Sequence, residues 1–218
     1  EFCNSDVAWI KEFQSRWQKV FPDCRLHVFK RKPSSFGKSE YNTIEIHSRY
    51  VIEFLRDLGL KPEKSEDKTI PEMILRSPKH VVREFLCALF EGDGSISYSS
   101  KMTELSYISK SEKLVQELQV LLLRFGIVGT KRFDSWRNTH KLYLRGLRNY
   151  SIFQTNIGFV SERKRKKLEK AVERLDKEYS QKDYVPFLKD FVSGCLTGTY
   201  YEKHFTEKHN IDRYPNLK

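Results

Sequence analysis

One short segment of the sequence combines small residues, apolar residues and carboxylates in an order that suits metal chemistry. Residues 86 to 94 read Leu-Cys-Ala-Leu-Phe-Glu-Gly-Asp-Gly, directly after Val-Val-Arg-Glu-Phe. The apolar spacing predicts a helix over 81–91 that ends at the Gly-Asp-Gly turn, with Gly94 supplying the backbone angles needed to leave it. Asp93 then stands at the negative end of the helix dipole, where a bound divalent cation would compensate its charge. The alternative is a solvated, inert carboxylate in a turn.

The same helix carries a face with almost no side chain. Ala88 and Gly92 are four residues apart and therefore lie on one side of the helix. A second helix can approach such a surface closely and pack ridge into groove. The segment thus predicts both a metal-binding carboxylate and a helix–helix contact.

Composition restricts the partners of this site. The chain has 218 residues with a formal net charge of +11, which favours nucleic acid or an anionic surface, although a merely soluble basic protein has the same balance. No apolar run is long enough to span a membrane. The four cysteines form no close pair, so zinc and redox motifs are not indicated, and we expect a reduced, intracellular protein of the cytoplasm or nucleoid.

The elements that must position the site follow a repeated order. The patterns predict helices over 5–21, 50–58, 81–91, 111–125 and 150–156. They also predict a basic helix after Ser161. They predict strands over 26–30, 43–47, 96–98, 104–108, 130–136 and 141–145. Residues from Phe2 onward align with those from Tyr107, and Phe54 and Gly59 align with Phe153 and Gly158. The shared order of helix, two strands, helix and Gly predicts two equivalent halves, unless the likeness is a coincidence of amphipathic segments.

The segment 86–94 resembles the motif of the LAGLIDADG, or dodecapeptide, homing endonucleases. The preceding Val-Val-Arg-Glu-Phe, the following Ser-Ile-Ser and the upstream Ile-Pro-Glu-Met-Ile-Leu are similar to archaeal intein-encoded members. The resemblance implies an α/β (α+β) fold of two pseudo-symmetric halves with antiparallel, saddle-like sheets backed by helices, plus a C-terminal extension. It implies a double-stranded DNA partner and Mg²⁺-dependent phosphodiester hydrolysis.

Site residues follow from that resemblance. Asp93 matches the family's catalytic carboxylate and, with Gly92, marks the metal site; Glu91 matches the motif's first acidic position. Ala88, Gly92 and Gly94 match the helix-packing positions. Arg49 and Arg148 stand where intein-type relatives often have Lys, and we carry them over only as electrostatic helpers, because Arg does not readily cycle a proton.

DNA contacts are expected from outward residues of the strands, since basic and small polar side chains suit phosphate and base-edge contacts. The candidates are Lys30, Lys32, Lys38, Ser97, Ser99, Lys101, Arg132, Arg137, Lys141, Tyr143 and Arg145. Trp136 fits the same surface or a core position at a sheet edge.

One departure from the family pattern affects the division of the chain. The repeat offset places a first motif upstream of residue 1. We therefore expect a first half lacking its motif helix over 1–65, a second half with the motif over 66–160, and a basic helix with an extension of unknown role over 161–218. A partner helix would come from an upstream segment or from a second copy of the chain.

Two further functions stay open. The same fold without cleavage would be a DNA- or RNA-binding module, as in a maturase or an inactivated endonuclease. A protein-splicing element is suggested by His209-Asn210, but Ile211 follows where a nucleophile is required. The target sequence and the host protein cannot be read from the residues.

Overall fold

The computed structural model describes residues 2–32, 40–60, 62–98 and 103–175. Its elements in chain order are β1 (Phe2–Asn4), α1 (Val7–Val20), β2 (His27–Arg31), β3 (Tyr41–Glu45), α2 (Arg49–Asp57), α3 (Glu72–Arg76), α4 (Lys79–Asp93), β4 (Gly94–Tyr98), β5 (Thr103–Ser109), α5 (Glu112–Leu123), β6 (Gly129–Asp134), β7 (Thr139–Leu144), α6 (Leu147–Asn156) and α7 (Glu162–Arg174). Contacts group residues 1–178 into one compact unit and 179–218 into another, and the second lies outside the described residues.

Two antiparallel sheets reproduce the predicted repeat. The first has the strand order β1-β3-β2 and the second has the order β4-β5-β7-β6. Strands β1, β3 and β2 correspond to β5, β7 and β6, and the helices α1 and α2 correspond to α5 and α6. The predicted antiparallel strands in both halves are therefore confirmed, as is the mixed α/β (α+β) architecture.

Local capping fixes where several helices begin. Asp6 precedes α1, and its carboxylate accepts hydrogen bonds from the backbone N–H groups of Ala8 and Trp9. Ser111 precedes α5, and its hydroxyl accepts from the N–H of Leu114. Both residues satisfy N–H groups that have no partner within the helix. The predicted helix starts near residues 5 and 111 are accordingly correct to within one or two residues.

A few elements differ from the sequence prediction. Strand β3 begins at Tyr41 rather than at Thr43, so its pairing with β2 is centred two residues earlier. The short elements β1 and α3 were not predicted, because three or five residues carry too little periodicity. The basic helix α7, predicted to form a separate region together with an extension, packs against β4 and α6 of the second half.

The principal core lies in the second half. Its buried residues line the inner face of the second sheet and the facing sides of α4, α5, α6 and α7, and include Val82, Leu86, Phe90, Leu105, Leu118, Leu142, Phe153 and Leu168. The sheet and four helices thereby hold the end of α4 in a fixed place. None of the helices in the described residues is long and apolar enough to cross a membrane.

Candidate active site

Asp93 is the last residue of α4, and its side chain is exposed at the point where the chain turns into β4. The next residue, Gly94, has φ −74° and ψ 147°, which other residues also adopt. The predicted need for unusual backbone angles at Gly94 is therefore wrong. A glycine is needed because a Cβ atom there would lie 2.7 Å from the Phe90 ring and still closer to the Phe90 carbonyl. The tight turn keeps Asp93 at the sheet.

Tyr107 lies behind Asp93. It pairs with Gly94 across the β4–β5 ladder and is 2% exposed. Burial, then the negative charge of Asp93 and a hydrogen bond to its carboxylate, raise the pKa of Tyr107 above its ordinary value of 10.0. Because a protonated phenol donates, Tyr107 restrains the carboxylate from the core side. Sequence reasoning placed this residue in the repeat but did not assign it to the site.

Lys164 closes the other side of the helix end. It is 8% exposed, and its ammonium donates to the backbone carbonyls of Glu91 at 2.5 Å, Gly94 at 2.8 Å and Phe90 at 3.2 Å. Burial lowers the pKa of Lys164, while the charges of Glu91 and Asp93 act in the opposite direction. The positive charge that the end of α4 requires is thus supplied by a side chain located 71 residues after Asp93 in the sequence.

Glu91 has a structural role in the same junction. It is 5% exposed, and its Oε2 accepts hydrogen bonds from the N–H groups of Val160 at 2.8 Å and Ser161 at 3.1 Å, just before α7. Its Oε1 lies 4.0 Å from the Lys164 ammonium. Glu91 therefore stabilises the positive end of α7 while Lys164 stabilises the negative end of α4. A buried carboxylate held in this way does not face a substrate beside Asp93.

The packing face of α4 is open in the structure. Ala88 and Gly92 are exposed, and a Cβ atom added at Gly92 would meet nothing within 4 Å. Next to Gly92 is a cleft of roughly 690 Å³, whose walls come from the junction of α4 with α7 and from the first half, including Asn4, Asp6 and Tyr41. The described part of the chain thus leaves space beside the motif helix for another segment.

The outer face of the second sheet carries a compact cationic group. Leu142 and Leu144 are fully buried, so the alternating residues Lys141, Tyr143 and Arg145 face outward. The Tyr143 ring centroid lies 4.6 Å from the Lys141 ammonium, 4.7 Å from the Arg145 guanidinium and 5.9 Å from that of Arg132 on β6. Ser97 is also exposed on β4. The described strand residues Ser97, Arg132, Lys141, Tyr143 and Arg145 therefore face outward, and their contact with DNA stays a prediction.

Glu104 organises that cationic group. Its carboxylate lies 2.8 Å from Lys141 and 4.0 Å from Arg145, and its side chain is 12% exposed. Burial opposes the Lys141 charge, but the hydrogen bond and the charge of Glu104 prevail and raise the pKa of Lys141. The ion pairs hold two cations at fixed positions on the face.

Strand register decides which face of the first sheet each cation occupies. Lys30 pairs with Asn42 two residues along from the Val28–Ile44 pair, so it shares the strand face of the fully buried Ile44. Its side chain is nevertheless 71% exposed, and its ammonium lies 2.6 Å from the Glu40 carboxylate. Arg31 lies on the opposite face and donates to Glu45 at 3.1 Å. Lys32 follows the strand and is exposed.

Of the two arginines proposed as helpers, Arg148 lies at the opposite end of the second sheet from Asp93, and Arg49 is an exposed residue of the first half. Arg49 opens α2, is 92% exposed and pairs with Glu53 at 2.8 Å. Arg148 is exposed in the first turn of α6. This helix follows β7, whose last residue, Leu144, pairs with Leu105 at the Thr103 end of β5. Tyr150, two residues later, donates to the Thr103 carbonyl at 3.0 Å, at the opposite end of β4 from Asp93.

Three predicted contact residues, Lys38, Ser99 and Lys101, lie outside the described residues. Arg137 is exposed in the turn between β6 and β7, where Trp136 is also exposed, with 85% of its surface in solvent. The alternative of a core position for Trp136 is therefore wrong.

Comparison with known proteins agrees with this arrangement. Residues 80–158 match the model of the LAGLIDADG-like domain family. The chain is 33% identical over 173 residues to a DNA gyrase protein of Mycolicibacterium flavescens, covering 78% of this chain and 31% of that protein. It is 30% identical over 204 residues to the replication factor C small subunit of Methanocaldococcus jannaschii, covering 90% of this chain and 10% of that protein. The chain thus spans a third or less of these relatives.

A solved structure shares the architecture. The homing endonuclease I-DmoI, in complex with its target DNA in the presence of Mg, superposes with a TM-score of 0.51 at 15% identity, covering 72% of this chain and 78% of I-DmoI. At that identity the likeness concerns the fold. Residues 80–158 are a LAGLIDADG-like domain, and the chain has the fold of the LAGLIDADG homing endonucleases.

Proposed function

We propose that the chain is the DNA-cleaving part of a homing endonuclease, which binds duplex DNA on the basic faces of its sheets and hydrolyses a phosphodiester bond at Asp93. The observation that carries the proposal is the exposed Asp93 carboxylate at the end of the motif helix, with Tyr107 and Lys164 packed around it. The neighbouring sheet presents Lys141, Arg145 and Arg132 to solvent, as a polyanionic partner requires.

The residues present fit a magnesium ion that is shared with substrate. Among the described residues no group of three or more His, Cys, Asp or Glu side chains is placed to hold a metal. Mg²⁺ commonly takes one or two protein carboxylates and completes its shell with water and phosphate oxygens. Asp93, with the adjoining Gly92 carbonyl, would hold the ion, which when bound supplies Lewis-acid stabilisation of the phosphate and a more acidic water.

The other residues of the site act on Asp93 and on DNA. Tyr107 holds the carboxylate from the core side, and Lys164 fixes the helix end and adds positive charge there. Arg132, Lys141 and Arg145 set the register of the duplex through phosphate contacts. In this scheme Arg49 and Arg148 serve only as general basic surface.

The relatives support an origin as an inserted element. The gyrase and replication factor C proteins have unrelated names and lengths, yet each contains a segment about a third identical to this chain. A segment shared by otherwise different proteins is typical of a mobile insertion. We therefore propose that the chain is the endonuclease of an intein, of the archaeal type that its motif resembles.

A double-strand break needs two carboxylates. Each phosphodiester requires its own metal site, and within the described residues one motif helix ends at such a carboxylate. The open Ala88–Gly92 face would accept a second motif helix, contributed by a further segment of the protein or by a second copy of the chain. We expect the 218-residue chain alone to bind DNA but to cleave both strands poorly.

The second candidate function is a DNA- or RNA-binding module without cleavage. The presence of one motif helix in the described part of the chain favours it.

A cleavage assay separates the two functions. Duplex DNA bound by the chain would be selected from a random library, cloned into a supercoiled plasmid and incubated with Mg²⁺ over a range of protein concentrations. Nicking or cleavage that is lost in Asp93→Asn, with binding retained, supports the endonuclease. Asp57→Asn, an exposed carboxylate at the end of α2, is the matched control.

The concentration dependence identifies the source of the second carboxylate. Double-strand cleavage of a palindromic site that rises with the square of protein concentration supports a second copy. Efficient double-strand cleavage by a monomer would contradict the expected deficiency. Binding without any Asp93-dependent strand scission would favour the binding module.

A further inference from the structure

The turn between β6 and β7 presents one aromatic side chain to solvent in a fixed setting. Trp136 is 85% exposed, whereas Trp9 is 6% exposed and Trp17 donates its indole N–H to the Cys24 carbonyl at 3.3 Å. The Asp134 carboxylate accepts from the backbone N–H groups of Trp136 and Arg137, both at 3.1 Å. These bonds restrain the backbone of the turn, from which the Trp136 side chain projects into solvent.

The end of the turn also requires an uncommon conformation. Asn138 has φ 49°, in the left-handed region that asparagine tolerates better than most residues. The neighbouring Arg137 guanidinium lies 5.5 Å from the Trp136 ring centroid. The tip therefore combines a flat apolar surface with a cation, and no core packing accounts for either.

Strand pairing places this tip at the same end of the second sheet as Asp93. Gly94 pairs with Tyr107, Tyr107 with Leu142, and Leu142 with Lys131 across the four strands. The β6–β7 turn follows the Asp134–Thr139 pair, three residues beyond that row. The tip adjoins β6, the edge strand farthest from β4, and therefore lies about 14 Å across the sheet from Asp93. A duplex that passes Asp93 along the outer face would meet it a few base pairs from the point of cleavage.

The surrounding charge indicates what kind of partner binds against the exposed Trp136 ring. Arg137 adjoins it, and Arg132 and Lys141 form a directly paired couple on the outer face of the same hairpin. The one carboxylate of the turn, Asp134, is engaged with the turn's own backbone. A cationic surround with a protruding indole suits a nucleic-acid base better than an apolar protein surface.

We propose that Trp136 stacks on, or wedges between, base pairs of the bound duplex a few base pairs from the cleavage point, with Arg137 on the adjacent phosphate. The inference rests on the proposed function, since it requires DNA on the outer face of the sheet. Partial unstacking by an inserted apolar side chain bends the duplex. The bend would help to bring a phosphate toward Asp93.

The test uses 2-aminopurine, a base whose fluorescence rises on unstacking, placed in turn at each position of the selected half-site. Binding of the intact chain should raise the signal at one or two adjacent positions. Trp136→Ala should abolish that rise and weaken binding by about 5- to 100-fold, as loss of one stacked base does. Trp136→Phe should retain part of both effects. Tyr50→Ala, which removes a 71% exposed aromatic ring on α2, is the matched control.

The outcomes separate this inference from the proposed function. No duplex binding by the intact chain would overturn both. Tight binding with no localised 2-aminopurine signal, or with a signal that Trp136→Ala leaves unchanged, would overturn the wedge alone. A change of oligomeric state in Trp136→Ala with unaltered DNA affinity would assign the ring to a protein contact instead.

Discussion

At the scale of single residues, the site is a set of charges that compensate one another at two helix ends. Lys164 neutralises the carbonyl end of α4, and Glu91 neutralises the amide end of α7. Both groups are almost fully buried, so removal of either leaves the other uncompensated in an environment of low dielectric. Asp93, in contrast to Glu91, remains exposed.

Lys164→Met should reduce the free energy of unfolding by roughly 2–4 kcal/mol, because Glu91 and three carbonyls lose a buried cation. Urea titration measures the loss. Lys170→Met changes an exposed cation on the same helix and should stay within about 0.5 kcal/mol of the natural chain. Equal losses in the two variants would contradict the buried role of Lys164.

Tyr107 gives the site a pH dependence with a definite sign. Its pKa is raised in the folded chain, so above pH 10 the unfolded chain loses the phenol proton while the folded chain keeps it. The folded state then binds more protons, and the free energy of unfolding falls as pH rises. In Tyr107→Phe that contribution is absent.

Urea titrations at several pH values between 8 and 11 test this prediction. As pH rises toward 11, the free energy of unfolding of the natural chain should fall relative to that of Tyr107→Phe. Tyr50→Phe, at a 71% exposed position, should show no such change. A difference that is independent of pH would argue against the raised pKa.

At the scale of elements, two glycines with opposite surroundings stand at the end of α4, one within its last turn and one directly after it. Gly92 has open space where a Cβ atom would stand, and Gly94 has the Phe90 backbone and ring there. No contact among the described residues requires a glycine at position 92, whereas the contact with Phe90 requires one at position 94. Their contrast therefore separates the chain's own folding from assembly through the α4 face.

Gly92→Ala should raise the free energy of unfolding by up to about 1 kcal/mol, since alanine favours the helix. It should also weaken cleavage or self-association, because a methyl group keeps a second helix at a greater distance. Gly94→Ala should be destabilising by more than about 1 kcal/mol through overpacking. Urea titration together with analytical ultracentrifugation measures both effects. A Gly92→Ala chain that associates and cleaves normally would show that this face is not an interface.

Asn149 links α6 to the strands of the second sheet. Its side-chain oxygen accepts from the Val128 N–H at 3.1 Å, and its amide donates to the carbonyls of Val128 at 2.9 Å and Arg145 at 2.7 Å. These bonds connect the start of α6 with the entry to β6 and the exit of β7. The repeat order predicted these elements, but this link depends on one buried side chain.

At the scale of the whole molecule, the net charge of +11 acts through the faces that the sheets present. Binding of duplex DNA should weaken steeply with salt, because Lys and Arg contacts release condensed counterions. Replacement of Arg132, Lys141 and Arg145 by Gln should reduce the slope of log K against log salt by about 2–3. Lys11→Gln with Lys19→Gln changes exposed cations on α1 and should leave the slope nearly unchanged. Equal changes in the two sets would indicate binding by diffuse charge.

Much of this architecture could be predicted because it depends on local pattern. The spacing of apolar residues around Leu86 and Phe90 predicts α4, and the Gly-Asp-Gly turn predicts its end at Asp93. Alternation over residues 141–145 assigns Lys141, Tyr143 and Arg145 to the outer face, as the buried Leu142 and Leu144 require. Such signals lie within about one turn of helix or two residues of strand, and tertiary contacts reinforce them.

Only the tertiary structure decided which distant residues complete the site. Lys164 lies in a run of basic residues whose composition predicts a solvated helix, and its position in line with buried Leu168 and Ala171 was the one sequence signal that distinguished it. Arg148 was chosen for its place before a helix, yet the strand direction takes it to the far end of the sheet. Strand register and helix packing join residues about 70 positions apart. The periodicity of a single segment does not specify which distant residue it contacts.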